Sequence, residues 1–556
     1  MGQQRATVRP FARLDERATL VEAFRATVAR RPHEVALRTA GGDVSLTWAQ
    51  CADRVERLAG GLAGLGVRPG DTVALLLRNR PEFNLLDTAA LHLGAVPWSI
   101  YLTSAPEQMR FLLAGAGSRV VVCEPDLADR LRASLADTAV EHVIEVDALE
   151  ALPEAPPDLD LGASAAAVRA DSPLTIIWTS GTTGDPKPVE LHHGGMVAAL
   201  RAFAEVAGLQ EGGRITSYLP AAHVADRWTA HYLWMVSGAE MTCVPDGSKI
   251  VETLPSVRPT LWGSVPRVWE KLHAALVSRG VTDPDALSEE AKAQVRGSLG
   301  LDQVRFLVTG AAPLPVETLR YFAVLGLPIC ELWGMSETCG VLTLNPPGTP
   351  RYGTVGTALP GVELRIAPDG EVLAKAPQLM RGYRGHPELT AEAVVDGWLH
   401  TGDIGELDED GYLRIVDRKK ELIINAAGKN MSPLAIEGAL KSAGPLIGQT
   451  CVIGDRRSYN AALLVLDPDA AAAWARTHSE VGTEHAALVT RPELLADVAV
   501  EVAVANERLS RVEQVRRWRV LPVDWLPHSE ELTPTMKLKR RVIADKYAAT
   551  IEELYT

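Results

Sequence analysis

The stretch around residue 180 constrains this 556-residue chain more than any other. An apolar run, Leu174-Thr175-Ile176-Ile177-Trp178, reads as a buried strand. It runs into Thr179-Ser180-Gly181-Thr182-Thr183-Gly184-Asp185-Pro186-Lys187, and a helix is predicted near Gly195–Val206. A strand, a small-residue loop and a helix in succession belong in an α/β layer. Such a loop can turn several backbone N–H groups and its Ser/Thr hydroxyls toward one anion, because glycine lets the backbone approach without a Cβ in the way. Lys187 adds a compact positive charge suited to phosphate. The loop is not of the Walker type, since Lys187 does not directly follow a glycine. Taken alone, its Gly/Thr core reads equally well as a polar surface turn.

A chain this long exceeds a single hydrophobic core, so two or more domains are expected. The net charge of -14 argues against a general nucleic-acid binder. The six cysteines form no CxxC pair and no zinc spacing, so they read as reduced, mostly buried thiols. No segment nears the ~18 uninterrupted apolar residues of a membrane-spanning helix, and the first residues lack a signal-peptide core. A cytoplasmic enzyme is the expectation.

Helical patterns at Leu20–Arg30 and Trp48–Leu65 alternate with short strands at Thr72–Leu77 and Arg119–Val122. Leu152–Gly162, with three prolines, reads as a linker. A second α/β run follows from Leu174 to about Pro346, and a glycine-rich, strand-like stretch from Gly353 to Ile415. A break falls at Asp417-Arg418-Lys419-Lys420. Beyond it Ser432-Pro433 opens a capped helix, and Ala461–Leu466 reads as a strand.

The nine-residue string resembles the phosphate-binding loop of the acyl-adenylate-forming superfamily: acyl-CoA synthetases, luciferases and adenylation domains. Further segments extend the resemblance over nearly the whole chain. Glu331-Leu332-Trp333-Gly334-Met335-Ser336-Glu337-Thr338 resembles the family motif written YGxTE, with Trp333 in the tyrosine's place and Ser336 in the threonine's. Gly310-Ala311-Ala312-Pro313, after a strand at Val304–Thr309, resembles the adenine-binding turn. Gly397-Trp398-Leu399-His400-Thr401-Gly402-Asp403 resembles the ribose motif, and Leu532–Arg541 the C-terminal catalytic-lysine motif. Leu219–Arg227 resembles the motif whose histidine lies beside the acyl tunnel. Val265–Lys271 looks like a segment typical of fatty acyl-CoA synthetases, in which Trp269 would gate or line the tunnel or simply pack in the core; the chain as a whole resembles the bacterial long-chain branch.

The resemblance implies an α/β fold: a large N-terminal domain of two α/β subdomains plus a β subdomain (1–416), a hinge (417–420) and a small mobile C-terminal α+β domain (421–556). It implies an AMP-forming acid–thiol ligase using ATP, Mg²⁺ and CoA. Lys537 would neutralise the α-phosphate, with Lys539 as second candidate in an uncertain register. Glu337 would hold Mg²⁺, while Thr182 and His223 would complete the catalytic set. Thr179, Ser180, Gly181, Thr183, Gly184 and Lys187 would cradle phosphates. Gly310, Ala311, Ala312, Glu331, Trp333, Gly334, Met335, Ser336, Asp403, Ile415 and Arg418 would hold the nucleotide. Lys420 would be the pivot, and Gly428 and Lys429 would line the acceptor tunnel. Activating a carboxylate with ATP needs these parts: a phosphate cradle, a cation at the α-phosphate, a metal-holding carboxylate and a nucleoside grip. Pro188 and His192-His193 depart from the family pattern, which keeps other acids and other nucleophiles open: a carrier-protein thiol, an amine, or nitrite in a diazotase. The expected substrate is a fatty acid, with an aryl acid second.

Overall fold

The computed structural model describes residues 19–179, 185–426, 430–478, 484–526, 529–533 and 537–556. Local sequence starts the helices where expected. Leu20–Arg30 opens on a capping box in which Thr19 and Glu22 satisfy each other's backbone donors. Trp48–Gly64 opens on a second box, Thr47 and Gln50. The two helices meet over an aromatic stack: Trp48 and Trp234 lie 4.6 Å apart at 19°. All six cysteines are free and buried.

Three of the sheets in the N-terminal part contain parallel strands. Thr72–Leu76 lies between Val96–Ser99 and Val120–Cys123, with His142–Glu145 outermost, all parallel. Val35–Thr39, Glu240–Cys243 and Arg214–Ser217 run parallel in a second sheet, edged by Ser45–Thr47. Leu261–Ser264, Phe306–Thr309 and Ile329–Trp333 form the parallel half of a third. Strands fully buried on both faces explain their near-continuous apolar runs. The strand read as Val304–Thr309 starts two residues later, because Val304 closes a turn onto Leu301.

Two expectations change. The phosphate loop does not lead directly into a helix. Lys187–His192 forms a strand antiparallel to Pro173–Thr179, and Gly382–Tyr383 adds to its other side. Its Lys-Pro-Val-Glu-Leu-His pattern alternates too weakly to announce a strand before the helix His193–Ala207. The proline-rich stretch after Ala151 does not separate cores either. Leu152, Leu159 and Leu161 pack against the main N-terminal core. A Cβ on Gly61 would come within 2.7 Å of Leu152 Cβ, so the glycine admits that contact.

From Glu363 to Arg418 the chain forms an antiparallel sheet in which Glu371–Lys375 and Leu413–Arg418 flank Trp398–Leu407. Beyond it, Ile447–Ile453, Asn460–Leu466 and Val515–Val520 form a separate sheet with its own cores. Here Glu437 accepts both terminal nitrogens of Arg540, at 2.6 and 2.7 Å. Burial pushes the Glu437 carboxyl up while Arg540 opposes it. A buried, bidentate pair of this kind fixes orientation more than it adds stability. It ties the helix Arg540–Lys546 to Pro433–Ser442, three residues after Lys537. Among the described residues no helix is long and apolar enough to cross a membrane.

Candidate active site

Strand register builds one wall of the site. Asp403 faces Arg418 across the Trp398–Leu407/Leu413–Arg418 pair. Arg418 Nε lies 2.9 Å from Asp403 Oδ1, and the Trp333 indole N–H donates to Oδ2 at 2.8 Å. Arg418 is braced in turn by the Thr401 carbonyl at 3.2 Å. Asp403 is buried, and burial pushes its carboxyl above the ordinary aspartate value, with Arg418, Trp333 and Lys537 pulling it back. Each carboxylate oxygen has two lone pairs, so each keeps one acceptor position for a hydroxyl. Trp333 ends the strand Ile329–Trp333 and packs on Leu342, Val372, Ala374 and Leu413, with Met335 and Ile415 beside it.

The turn after Trp333 is tight. A Cβ on Gly334 would meet the Gly340 carbonyl oxygen at 2.5 Å, so only glycine fits. The Thr338 hydroxyl closes the turn by accepting from Met335 N–H and donating to its carbonyl. This turn presents Ser336, which is buried, and Glu337, which is half-buried. Gly310, Ala311 and Ala312 follow the strand Phe306–Thr309, with both alanines exposed. Ala311 adopts φ +69°, a left-handed conformation that is uncommon outside glycine and that holds the turn open at the carboxyl end of a parallel sheet. Glu331 lies beneath, buried, with its carboxyl pushed up to about 7 by burial; the Gly353 N–H approaches it at 3.4 Å.

Thr179 and Lys187 pair across the phosphate-loop hairpin and pin the loop's two ends together. Ser180, Gly181, Thr182, Thr183 and Gly184 lie outside the described residues, as do Gly428 and Lys429. The Lys187 ammonium lies 5.0 Å from the centre of the Tyr383 ring, and the Tyr383 hydroxyl donates to Glu337 Oε1 at 3.0 Å.

The other wall comes from the C-terminal part. Two backbone and side-chain hydrogen bonds join Lys537 to Thr533, and Leu538 bridges Leu532. Solvent reaches the residue, yet protein encloses much of the side chain. That enclosure and the Arg418 charge hold its ammonium below the ordinary lysine value, against Asp403, Glu421 and Glu337. Lys539 instead lines a surface depression with Glu530, Val542, Asp545 and Lys546. Register and packing thus bring Asp403, Arg418, Glu337 and Lys537 into one electrostatic neighbourhood although 200 residues separate Glu337 from Lys537.

A family model for AMP-binding enzymes matches residues 24–384, and one for the AMP-binding enzyme C-terminal domain matches 420–556. The chain belongs to the AMP-binding enzyme family. AMP-binding enzymes use ATP. A Mycobacterium tuberculosis protein provisionally named as the fatty-acid–CoA ligase fadD11 is 47% identical over 426 residues, covering 70% of this chain and 74% of its own. The long-chain-fatty-acid–CoA ligase FadD15 of the same organism is 36% identical and covers 92% of both chains. Among solved structures, o-succinylbenzoate CoA synthetase from Bacillus subtilis, in complex with ATP and magnesium ion, superposes with a TM-score of 0.73 at 24% identity, over 93% of this chain and 98% of its own. That likeness shares the fold.

In this AMP-binding enzyme, His223 caps a short helix: its Nδ1 accepts from Ala225 N–H at 3.1 Å. Burial and the Lys537 charge push the imidazole down to about 4, so it is neutral at pH 7. Behind it, Arg227 is fully buried in a turn of π-helix. It bonds Asp87, Tyr232 and Ser99, while His231 takes the second Asp87 oxygen. Burial would raise the Asp87 carboxyl, but Arg227 and His231 outweigh it and hold it low. Trp269 is fully buried among Trp262 and Phe322, which makes it a core residue. Pro188 keeps its carbonyl in use, accepting from Arg384 N–H. His192 caps the helix that follows, and His193 is buried and accepts from Leu20 N–H. Lys420 is exposed, whereas Lys419 bonds Asp369 and Glu371. Sequence reading missed Tyr383. Its only signal is a Gly-Tyr pair that reads as ordinary turn punctuation until it lies against the phosphate-loop hairpin.

Proposed function

We propose that this protein is an AMP-forming fatty acyl-CoA synthetase. A fatty acid carboxylate oxygen attacks the α-phosphorus of ATP, the bond to the bridging oxygen breaks, and pyrophosphate leaves with the electron pair. The CoA thiol, once deprotonated, attacks the acyl carbonyl, and AMP leaves with the pair of the C–O bond. The observation that supports this reading most is the Arg418–Asp403–Trp333 grip, whose charges, with that of Glu337, are felt by Lys537. Names given to relatives at 36–47% identity favour a fatty acid and CoA.

In this reading Asp403 accepts from the ribose hydroxyls, with Arg418 and Trp333 fixing its plane. Lys537 neutralises charge as the carboxylate approaches the α-phosphate. Lys187 and the loop from Thr179 hold the departing phosphates. Mg²⁺ usually binds through one or two carboxylates plus substrate phosphates. A single half-buried carboxylate at Glu337, with no cluster of three or more metal-ligating side chains among the described residues, fits a metal that arrives on the triphosphate. Bound there, Mg²⁺ would offset phosphate charge. His223, neutral and capped, lines rather than titrates. Thioester formation follows rotation of the small domain about Lys420, which withdraws Lys537 and brings in the Gly428–Lys429 loop.

Pyrophosphate release across aliphatic and aryl acids, with and without CoA, tests the proposal when products are identified by mass. Fatty-acid-dependent release with the matching CoA thioester is the expected result. Acid-dependent release without thioester would replace CoA by another nucleophile, and no acid-dependent release would overturn adenylation itself.

A further inference from the structure

Tyr383 connects the two halves of the phosphate site, and the reading above gives it no role. Strand geometry puts it there. Lys187 and Val189 project from the same face of their strand, and Tyr383 pairs with Val189 across the antiparallel contact, diagonal to Lys187. Its buried ring lies under the Lys187 ammonium, 5.0 Å from centre to nitrogen. Its hydroxyl donates to Glu337 Oε1 at 3.0 Å, and Met380 N–H, three residues earlier, donates to the Glu337 carbonyl at 2.7 Å. Backbone and side chain of Glu337 are therefore both held from one short segment. The hydroxyl takes one lone pair of Oε1 and so fixes the plane of the carboxylate, whose remaining lone pairs are free to face a metal. An ammonium against a ring face is held by the ring quadrupole without losing its own N–H donors, so it can still reach an anion.

Resting on the adenylation reading, we infer that Tyr383 is a positioning residue that aims the Glu337 carboxylate at the metal of MgATP through its hydroxyl and holds Lys187 over the phosphates through its ring. The two halves of the side chain then have separable effects. The hydroxyl matters only when metal is present; the ring matters with or without it.

Calorimetric titration of ATP into the full-length protein, once with Mg²⁺ and once with EDTA, separates them. Tyr383→Phe should weaken MgATP binding about 10-fold, the low end of the range for one hydrogen bond to a charged group, and leave metal-free ATP binding unchanged. Tyr383→Leu should weaken both. On a Glu337→Gln background, Tyr383→Phe should add little. Equal weakening in Mg²⁺ and EDTA for the Phe variant, or no weakening in either, overturns the inference. Tyr383→Phe keeps the ring and its packing, and a melting curve matching wild type verifies that. Failure of the wild-type protein to bind MgATP would instead remove the adenylation reading.

Discussion

Asp403 and Lys537, the two residues proposed to grip the ribose and to neutralise the α-phosphate, are held differently. Asp403 sits in the middle of a long strand, buried, with one oxygen on Arg418 and the other on Trp333. Lys537 belongs to another unit and is reachable by solvent, three residues before Arg540, which bonds Glu437. The proposed nucleoside grip is built into a sheet. The proposed catalytic cation comes from the C-terminal part, which meets the N-terminal part through polar contacts that include Arg267 with Asp467. A two-step ligase benefits from this division, because nucleotide must be held through both steps while Lys537 is needed in only one.

The comparison yields ordered expectations. Lys537→Ala should lower adenylation by about 10²–10³-fold, as for loss of one preorganised electrostatic group, yet largely spare thioester formation from supplied acyl-AMP. Equal loss of both half-reactions would break the distinction between the walls. Asp403→Asn should impair both half-reactions, with ATP affinity falling about 10–100-fold for the loss of charge-assisted hydrogen bonds. An effect confined to adenylation would show that the ribose grip is not shared.

The third expectation is a pH profile. Lys537 works as a cation, which exists below its pKa, and enclosure beside Arg418 depresses that pKa. Adenylation should therefore fall on the alkaline side at a pH below the ordinary lysine value of about 10.4. Lys537→Arg, if active, should remove that limb, since guanidinium stays charged. An unchanged limb would assign it to another group. The smallest effect concerns the contact between domains. Arg267→Ala removes a partly exposed ion pair, worth about 1 kcal/mol or less. Adenylation should drop only about two- to fivefold, with thioester formation from acyl-AMP unchanged or faster. A matching loss in both steps would mean that the pair stabilises the fold rather than the adenylating arrangement.

Much of the fold was legible because its signals are local. The helical patterns at Leu20–Arg30 and Trp48–Leu65 announce helices, and Ser432-Pro433 announces another. The strand Lys187–His192 was hidden, because its identity depends on partners on either side rather than on its own weak alternation. Val265–Lys271 left Trp269 between tunnel and core, and only packing on Trp262 and Phe322 decided for the core.

The sequence by itself determined the chemistry that is available. A loop of small residues with a lysine, a Trp-Gly-Met-Ser-Glu turn, a Thr-Gly-Asp strand and a C-terminal lysine can each be read without coordinates, because residue type and short spacing carry them. Tertiary structure decided which of these groups meet and how each is held. It put Asp403 between Arg418 and Trp333, and laid Tyr383 between Lys187 and Glu337. The physical reason is that these contacts join residues tens to hundreds of positions apart, and strand register and the seating of one domain on another are set by cooperative burial, which no short window of sequence contains.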